Sequence, residues 1–265
     1  GLPIEDDPSS RQFLQDIVDW GKISRNIYLW DYTVNFNHHV SPFPNLHVLQ
    51  PNIRFFVRNG ARQHFQQSNT GAGHEFSELK QYLLARLLWN PDIDGGAVMQ
   101  DFLEGYYGAA SPWIAKYIAG LRDALGKSGA RLDIYEPPAA HAGGYLSGGD
   151  MARYSEWFDR AEAAVAADTT LVERVRTSRL PLQYAMLEIG KSDLFGPRGF
   201  YRKAGEHFEP RPEMTRLLEE FVRVSSRNRV RTLNESGLTP AQYDEAARRF
   251  VDVQVEGNKA FRRPV

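Results

Sequence analysis

Apolar residues recur at helical spacing through most of this chain and switch to strand-like runs at two places near its start. Phe13, Leu14, Ile17, Val18 and Trp20 share a helical pattern that Ser9 or Ser10 would cap and Gly21 would end. "NIYLWDYTVNF" follows, rich in aromatic and β-branched residues, and reads as a strand. "LHVLQPNIRFFVRNG" then predicts a helix closed by Gly60, with its regular part beginning near Pro51 because proline suits a first turn and not an interior. "ARQHFQQ" predicts a second, shorter strand. The order helix–strand–helix–strand is that of parallel βα units.

From Glu75 onward the period is helical. Leu79, Tyr82, Leu83 and Leu87 form one face of a helix that Ser77 would cap, Asp94 and Gly108 bracket a second, and Ser111-Pro112 opens a third. An extended piece near Leu132 to Tyr135 leads into a long Pro- and Gly-rich loop. Helices resume after Met151: "YSEWFDRAEAAVAAD", a longer stretch that Pro181 should kink or split, "PEMTRLLEEFVRVSSRN", and a last one opened by Thr239-Pro240. "GNKAFRRPV" reads as a loosely held tail. The organisation expected is residues 1–128, carrying the βα units and the helices after them, and residues 129–265, mainly helical. Two strands make no sheet core by themselves. Either they belong to a larger sheet whose other strands precede residue 1, or they pack under the helices as a small parallel pair.

Composition narrows the function classes. The 265 residues fit one large domain or two small ones, and the 42% hydrophobic and 25% charged fractions are those of a globular chain. A formal net charge of -1 gives no global field for nucleic acid or anionic membrane, and no apolar run is long enough to span a bilayer. The chain has no cysteine, so disulfides, thiolate metal sites and a cysteine nucleophile are excluded. The opening "GLPIEDDPSS" has no initiator Met and leads straight into a helix, as a start inside a longer protein would.

The candidate chemistry gathers where the two strands end. Alternation puts Tyr28, Trp30 and Tyr32 on one face of the first strand and Ile27, Leu29 and Asp31 on the other. Trp30, Asp31, Tyr32 and Asn35 sit at its C-terminal end, where parallel α/β architectures collect ligand groups. Aromatic rings among carboxylate and amide groups suit a sugar: rings stack on C–H faces and polar groups hold hydroxyls. The competing reading is an aromatic core strand with Asp31 and Asn35 capping the next turn. The second strand ends similarly, with Gln66, Gln67, Ser68 and Asn69 before a Gly-containing loop and then His74 and Glu75. Glu75 is either a hydroxyl clamp or general base, or a carboxylate favoured at a helix N-terminus. "NTGAGHE" lacks the Lys-Ser/Thr of a phosphate-binding loop. His38 and His39 are adjacent and would point apart, and no other metal-ligand spacing accompanies them, so neither metal nor cofactor is expected. Asp92 and Asp94 are turn and cap residues with no calcium-loop pattern after them. Glycoside hydrolysis needs two carboxyl groups flanking a bond. Asp31 and Glu75 lie at successive strand exits, but no adjacent acidic pair ends a strand, so such a pair would lie upstream.

"YLWDYTVNF", "PNIRFFVRNGARQHFQQ", "ELKQYLLARLLWNPDID" and "FLEGYYGAASPWIAKYI" together resemble the domain of unknown function 4838 family, over roughly residues 10–125. That family occurs in bacterial proteins associated with carbohydrate breakdown and resembles the C-terminal side of barrels akin to glycoside hydrolase family 20 and to α-glucuronidases. The resemblance implies an α/β to mostly α chain: the last βα units of a (β/α)8 barrel, then a C-terminal helical domain. It implies the C-terminal portion of a glycoside-hydrolase-like protein acting on polysaccharide-derived sugars, or else a non-catalytic carbohydrate-binding or interaction module. It also implies a periplasmic or extracellular location and a carbohydrate partner. Trp30 would then be a wall of the site, with Asp31 or Tyr32 as polar contact and Asn35, Gln66 and Glu75 as further substrate-binding candidates.

Overall fold

The computed structural model describes residues 1–68, 71–205 and 207–256. Helix α1 (Arg11–Ile23) turns Ile17, Leu14 and Val18 inward, while Phe13 packs edge-on against Phe56 at 6.2 Å. Ser10 precedes α1 without a side-chain cap bond; Asp7 instead caps the short turn before it, accepting the Ser9 N–H at 2.9 Å. The helix continues two residues past Gly21. A Cβ at Gly21 would stand 2.6 Å from the Asn59 carbonyl oxygen, so this glycine permits close approach to the next helix rather than ending its own.

Strand β1 (Ile27–Tyr32), helix α2 (Leu46–Arg58) and strand β2 (Ala61–Gln67) form a βαβ unit. The strands pair in parallel, with Leu29 opposite His64, Trp30 opposite Phe65, Asp31 opposite Gln66 and Tyr32 opposite Gln67. Gly60 turns the chain from α2 into β2 at φ +96°, a conformation open to glycine. Pro51 lies inside α2 instead of opening it. Leu46 and Leu49 are buried ahead of it, and their burial holds the first turn despite the N–H that proline lacks.

The barrel expectation is overturned. Among the described residues β1 and β2 form a two-stranded sheet that no other strand joins. A (β/α)8 barrel closes on eight strands. The parallel pairing is as the order of elements predicts, and among the described residues the two strands pair only with each other, with helices packed on one face. The piece near Leu132 to Tyr135 is not a strand. It is held as loop, with Ile134 accepting the Phe36 N–H at 2.7 Å.

Helices make up most of the remainder: α3 (Ser77–Trp89), α4 (Gly95–Tyr107), α5 (Ser111–Ser128), α6 (Gly148–Ala164) and α7 (Thr169–Ser192). With α2 they enclose the main core, whose fully buried members include Ile53, Leu79, Leu87, Ile114, Tyr117, Tyr154 and Phe158. Asp94 caps α4 as expected, accepting the Ala97 N–H at 3.0 Å, and Gly108 ends it. Ser77 is the first residue of α3 and not its cap; Phe76 takes that place in the left-handed region, at φ 44°. The 24-residue α7 runs through Pro181 unbroken, with Leu180, Pro181 and Leu182 all buried. Packing on both sides outweighs the lost hydrogen bond.

A second core joins the end of α7 to a hairpin of β3 (Tyr201–Ala204) and β4 (His207–Pro210), and to α8 (Pro212–Arg227) and α9 (Pro240–Glu256). The apolar pattern along the sequence does not mark this hairpin, whose strands are four residues each. Thr239 and Gln242 cap α9 reciprocally, Thr239 Oγ1 accepting the Gln242 N–H at 3.2 Å and Gln242 Oε1 accepting the Thr239 N–H at 2.9 Å. The tail "GNKAFRRPV" lies outside the described residues.

One charged pair sits inside this apolar frame. Lys80 Nζ donates to Glu75 Oε2 at 2.7 Å, with the two side chains 0% and 2% exposed. Lys80 also reaches the Thr33 carbonyl at 3.4 Å, and Glu75 accepts the Phe43 N–H, so the pair ties the segment after β1 to the start of α3. Removing one partner of such a pair strands the other charge. Lys80→Ala should therefore cost about 3–5 kcal/mol of unfolding free energy, read by urea denaturation, whereas Glu75→Leu with Lys80→Met should recover most of it. A single-variant loss below about 1 kcal/mol would contradict this placement.

Candidate functional site

The alternation of β1 divides its side chains as the sequence predicts. Ile27, Leu29 and Asp31 face the protein, and Tyr28, Trp30 and Tyr32 face outward. Trp30 is 55% exposed, Tyr32 46% and Phe65 of the neighbouring strand 42%. The Trp30 and Phe65 rings meet edge-on with centroids 4.7 Å apart, and the Trp30 and Tyr32 centroids are 6.5 Å apart. Trp30 Nε1 donates to Gln67 Oε1 at 3.2 Å, which fixes the indole's orientation on the sheet. Gln63, opposite Tyr28, is exposed on the same side as Phe65. The outer face is thus a row of rings flanked by amides.

Asp31 lies behind that row. Its Oδ2 accepts Gln66 Nε2 at 3.0 Å and its Oδ1 accepts the Tyr32 N–H at 2.8 Å. Burial raises the Asp31 pKa above the ordinary carboxylate value, opposed by these hydrogen bonds, and burial lowers that of His64. Gln66 Oε1, His64 Nε2 and Ser68 Oγ are buried with no protein partner among the described residues. Asn69, assigned to the same strand exit, lies outside the described residues.

The remaining candidates are built into the scaffold. Asn35 is buried; its Nδ2 donates to the Glu136 carbonyl at 2.8 Å and its Oδ1 accepts the His38 N–H at 3.0 Å, so it clamps its loop to the segment after α5. Glu75 is held by Lys80, and its pKa is raised by burial and lowered by the ammonium beside it. The structure thus brings Trp30, Asp31, Tyr32 and Gln66 together at the strand ends and places Asn35 and Glu75 within the packing beneath. Phe65, Gln63 and Gln67 complete the outer face. Phe65 is legible from the alternation of β2, which sets it on the face opposite to Gln66 and level with Trp30.

A family model for a domain of unknown function (DUF4838) matches residues 1–119. The matched part contains the βαβ unit, α3, α4 and the start of α5. No match was found among curated proteins or among solved structures. Among the described residues no group of three or more His, Asp or Glu is placed to hold a metal ion, and no helix is long and apolar enough to cross a membrane.

The two adjacent histidines point to different partners. His38 Nδ1 lies 2.7 Å from the Tyr184 hydroxyl, while the His39 ring lies 4.7 Å from that of His74. His74 Nε2 contacts the Thr232 carbonyl at 2.9 Å, so this pair joins the first half of the chain to the segment after α8. Burial lowers the His39 pKa to about 4, with His74 contributing, and lowers that of His74, with Lys80 contributing. Unfolded, both imidazoles take up protons near pH ~6.5. Folding is therefore favoured above that pH, and stability is lost as pH falls from ~6.5 towards 4, because the unfolded chain binds more protons. The melting temperature should fall across this window, and His39→Asn should flatten the fall relative to the parent. Parallel profiles would contradict the assignment.

Proposed function

We propose that this chain binds carbohydrate chains on the outer face of β1 and β2. The observation that carries the reading is the exposed row of Tyr28, Trp30 and Tyr32 beside Phe65, on the solvent side of a sheet whose other side is covered. Exposed rings grouped this way present flat apolar surface to the C–H faces of pyranoses, and the neighbouring Gln63 and Gln67 amides suit hydroxyls. The DUF4838 match adds no substrate. Binding suits this geometry better than hydrolysis. A glycosidase places two carboxyl groups about 5–9.5 Å apart across open space, whereas Asp31 is bonded to Gln66 behind the rings and Glu75 is sealed against Lys80.

A polysaccharide panel, read by affinity electrophoresis or a glycan array, tests the reading. The chain should be retained by at least one polysaccharide, and Trp30→Ala should weaken retention by about tenfold or more, equivalent to ~1.4 kcal/mol. The fold should survive because the ring is exposed. Absence of retention across the panel, or equal retention by the variant, would overturn it.

A further inference from the structure

Helices α2, α4 and α5 surround a cavity of ≈ 380 Å³ that the aromatic face does not use. Its walls are mainly aliphatic, formed by Leu46, Leu83, Met99, Leu103, Ile118 and Leu121, with the Phe76 ring beside them. Room is left because Gly95, Gly96, Ala115 and Ala119 carry little or no side chain where the helices face one another. Its polar lining is Gln50, Gln100, His47 and Arg122, with Glu75 already neutralised by Lys80. Arg122 is the charged group of the lining with a replaceable partner. It bonds the adjacent Asp123 through a single oxygen, at 3.1 and 2.9 Å, in a pair that is 54% and 56% exposed. Such a solvated pair contributes little and exchanges readily.

We propose that this cavity binds a medium-chain carboxylate, its acyl chain among the aliphatic side chains and its carboxylate on the Arg122 guanidinium. The size agrees. At ~30 Å³ per water-sized group the space takes roughly a dozen heavy atoms, the size of decanoate. An aliphatic wall with few convergent polar groups selects an apolar body, and a guanidinium fork matches a carboxylate bidentately.

Titration calorimetry near neutral pH with decanoate, decanol and decyltrimethylammonium tests this. The parent chain should bind decanoate about tenfold more tightly than decanol and bind the cation most weakly. Arg122→Ala should bring decanoate down to the affinity of decanol. Ala119→Phe, which fills the cavity from a half-buried position, should weaken decanoate and decanol alike by about tenfold or more, and Ala115→Leu serves if that variant does not fold. The proposal is overturned by no decanoate binding at about millimolar ligand, by an undiminished preference in Arg122→Ala, or by undiminished binding in the filled variants.

Discussion

The arrangement of this protein depends on one buried ion pair, Lys80 with Glu75. Taking an ammonium and a carboxylate out of water costs several kcal/mol each, and their attraction repays this only with good geometry and further hydrogen bonds. Both are present here: a 2.7 Å contact, the Thr33 carbonyl on the lysine and the Phe43 N–H on the carboxylate. Those two backbone groups lie at either end of the loop that leaves β1. The pair therefore pins the loop to the first turn of α3. Phe76, at φ 44°, occupies a conformation that non-glycine residues take only under constraint, directly beside the glutamate.

This clamp explains why so many polar residues follow an aromatic strand. Asn35 holds the Glu136 carbonyl, Asn45 holds the Thr33 carbonyl at 3.1 Å, His38 meets Tyr184, and the His39 backbone bonds Leu233 and Glu75. The segment joins three parts of the molecule that have no shared sheet to join them: the βαβ unit, the main helical core and the second core around α8 and α9. Buried loop backbone must be satisfied, and here side-chain amides and imidazoles do it. The polar groups of the loop are committed to the interior, whereas on the outer side of the strands the rings of Trp30, Tyr32 and Phe65 stand in solvent, where the proposed carbohydrate contact lies.

Local features and the parallel pairing of β1 with β2 were legible in the sequence, while side-chain partners distant along the chain and the extent of the sheet were not. The period of two in "IYLWDY" correctly separated Leu29 and Asp31 from Trp30 and Tyr32, because alternation depends only on the strand itself. Asp94, Gly108 and Thr239-Pro240 marked helix ends for the same reason. Pro51 and Pro181 misled: each loses one hydrogen bond, and burial of the flanking leucines outweighs it. Glu75 looked like a helix-terminus carboxylate or a hydroxyl clamp because its partner, five residues on, reads in sequence as an ordinary solvated lysine on a helix. The extent of the sheet cannot be read from strand character at all. β1 and β2 have the character of a barrel's strands, and only the pairing pattern shows that among the described residues no third strand joins them.

The most direct test of the proposed division between a clamped inner loop and an exposed carbohydrate-binding face is oxidative footprinting of the tryptophans with a mixture of soluble polysaccharides. Trp30 lies in the proposed contact face, while Trp89, 91% exposed at the end of α3, serves as an internal reference on the same molecule. Polysaccharide should slow oxidation of Trp30 and leave that of Trp89 unchanged. Equal oxidation of Trp30 with and without polysaccharide, or protection of Trp89 alone, would contradict it.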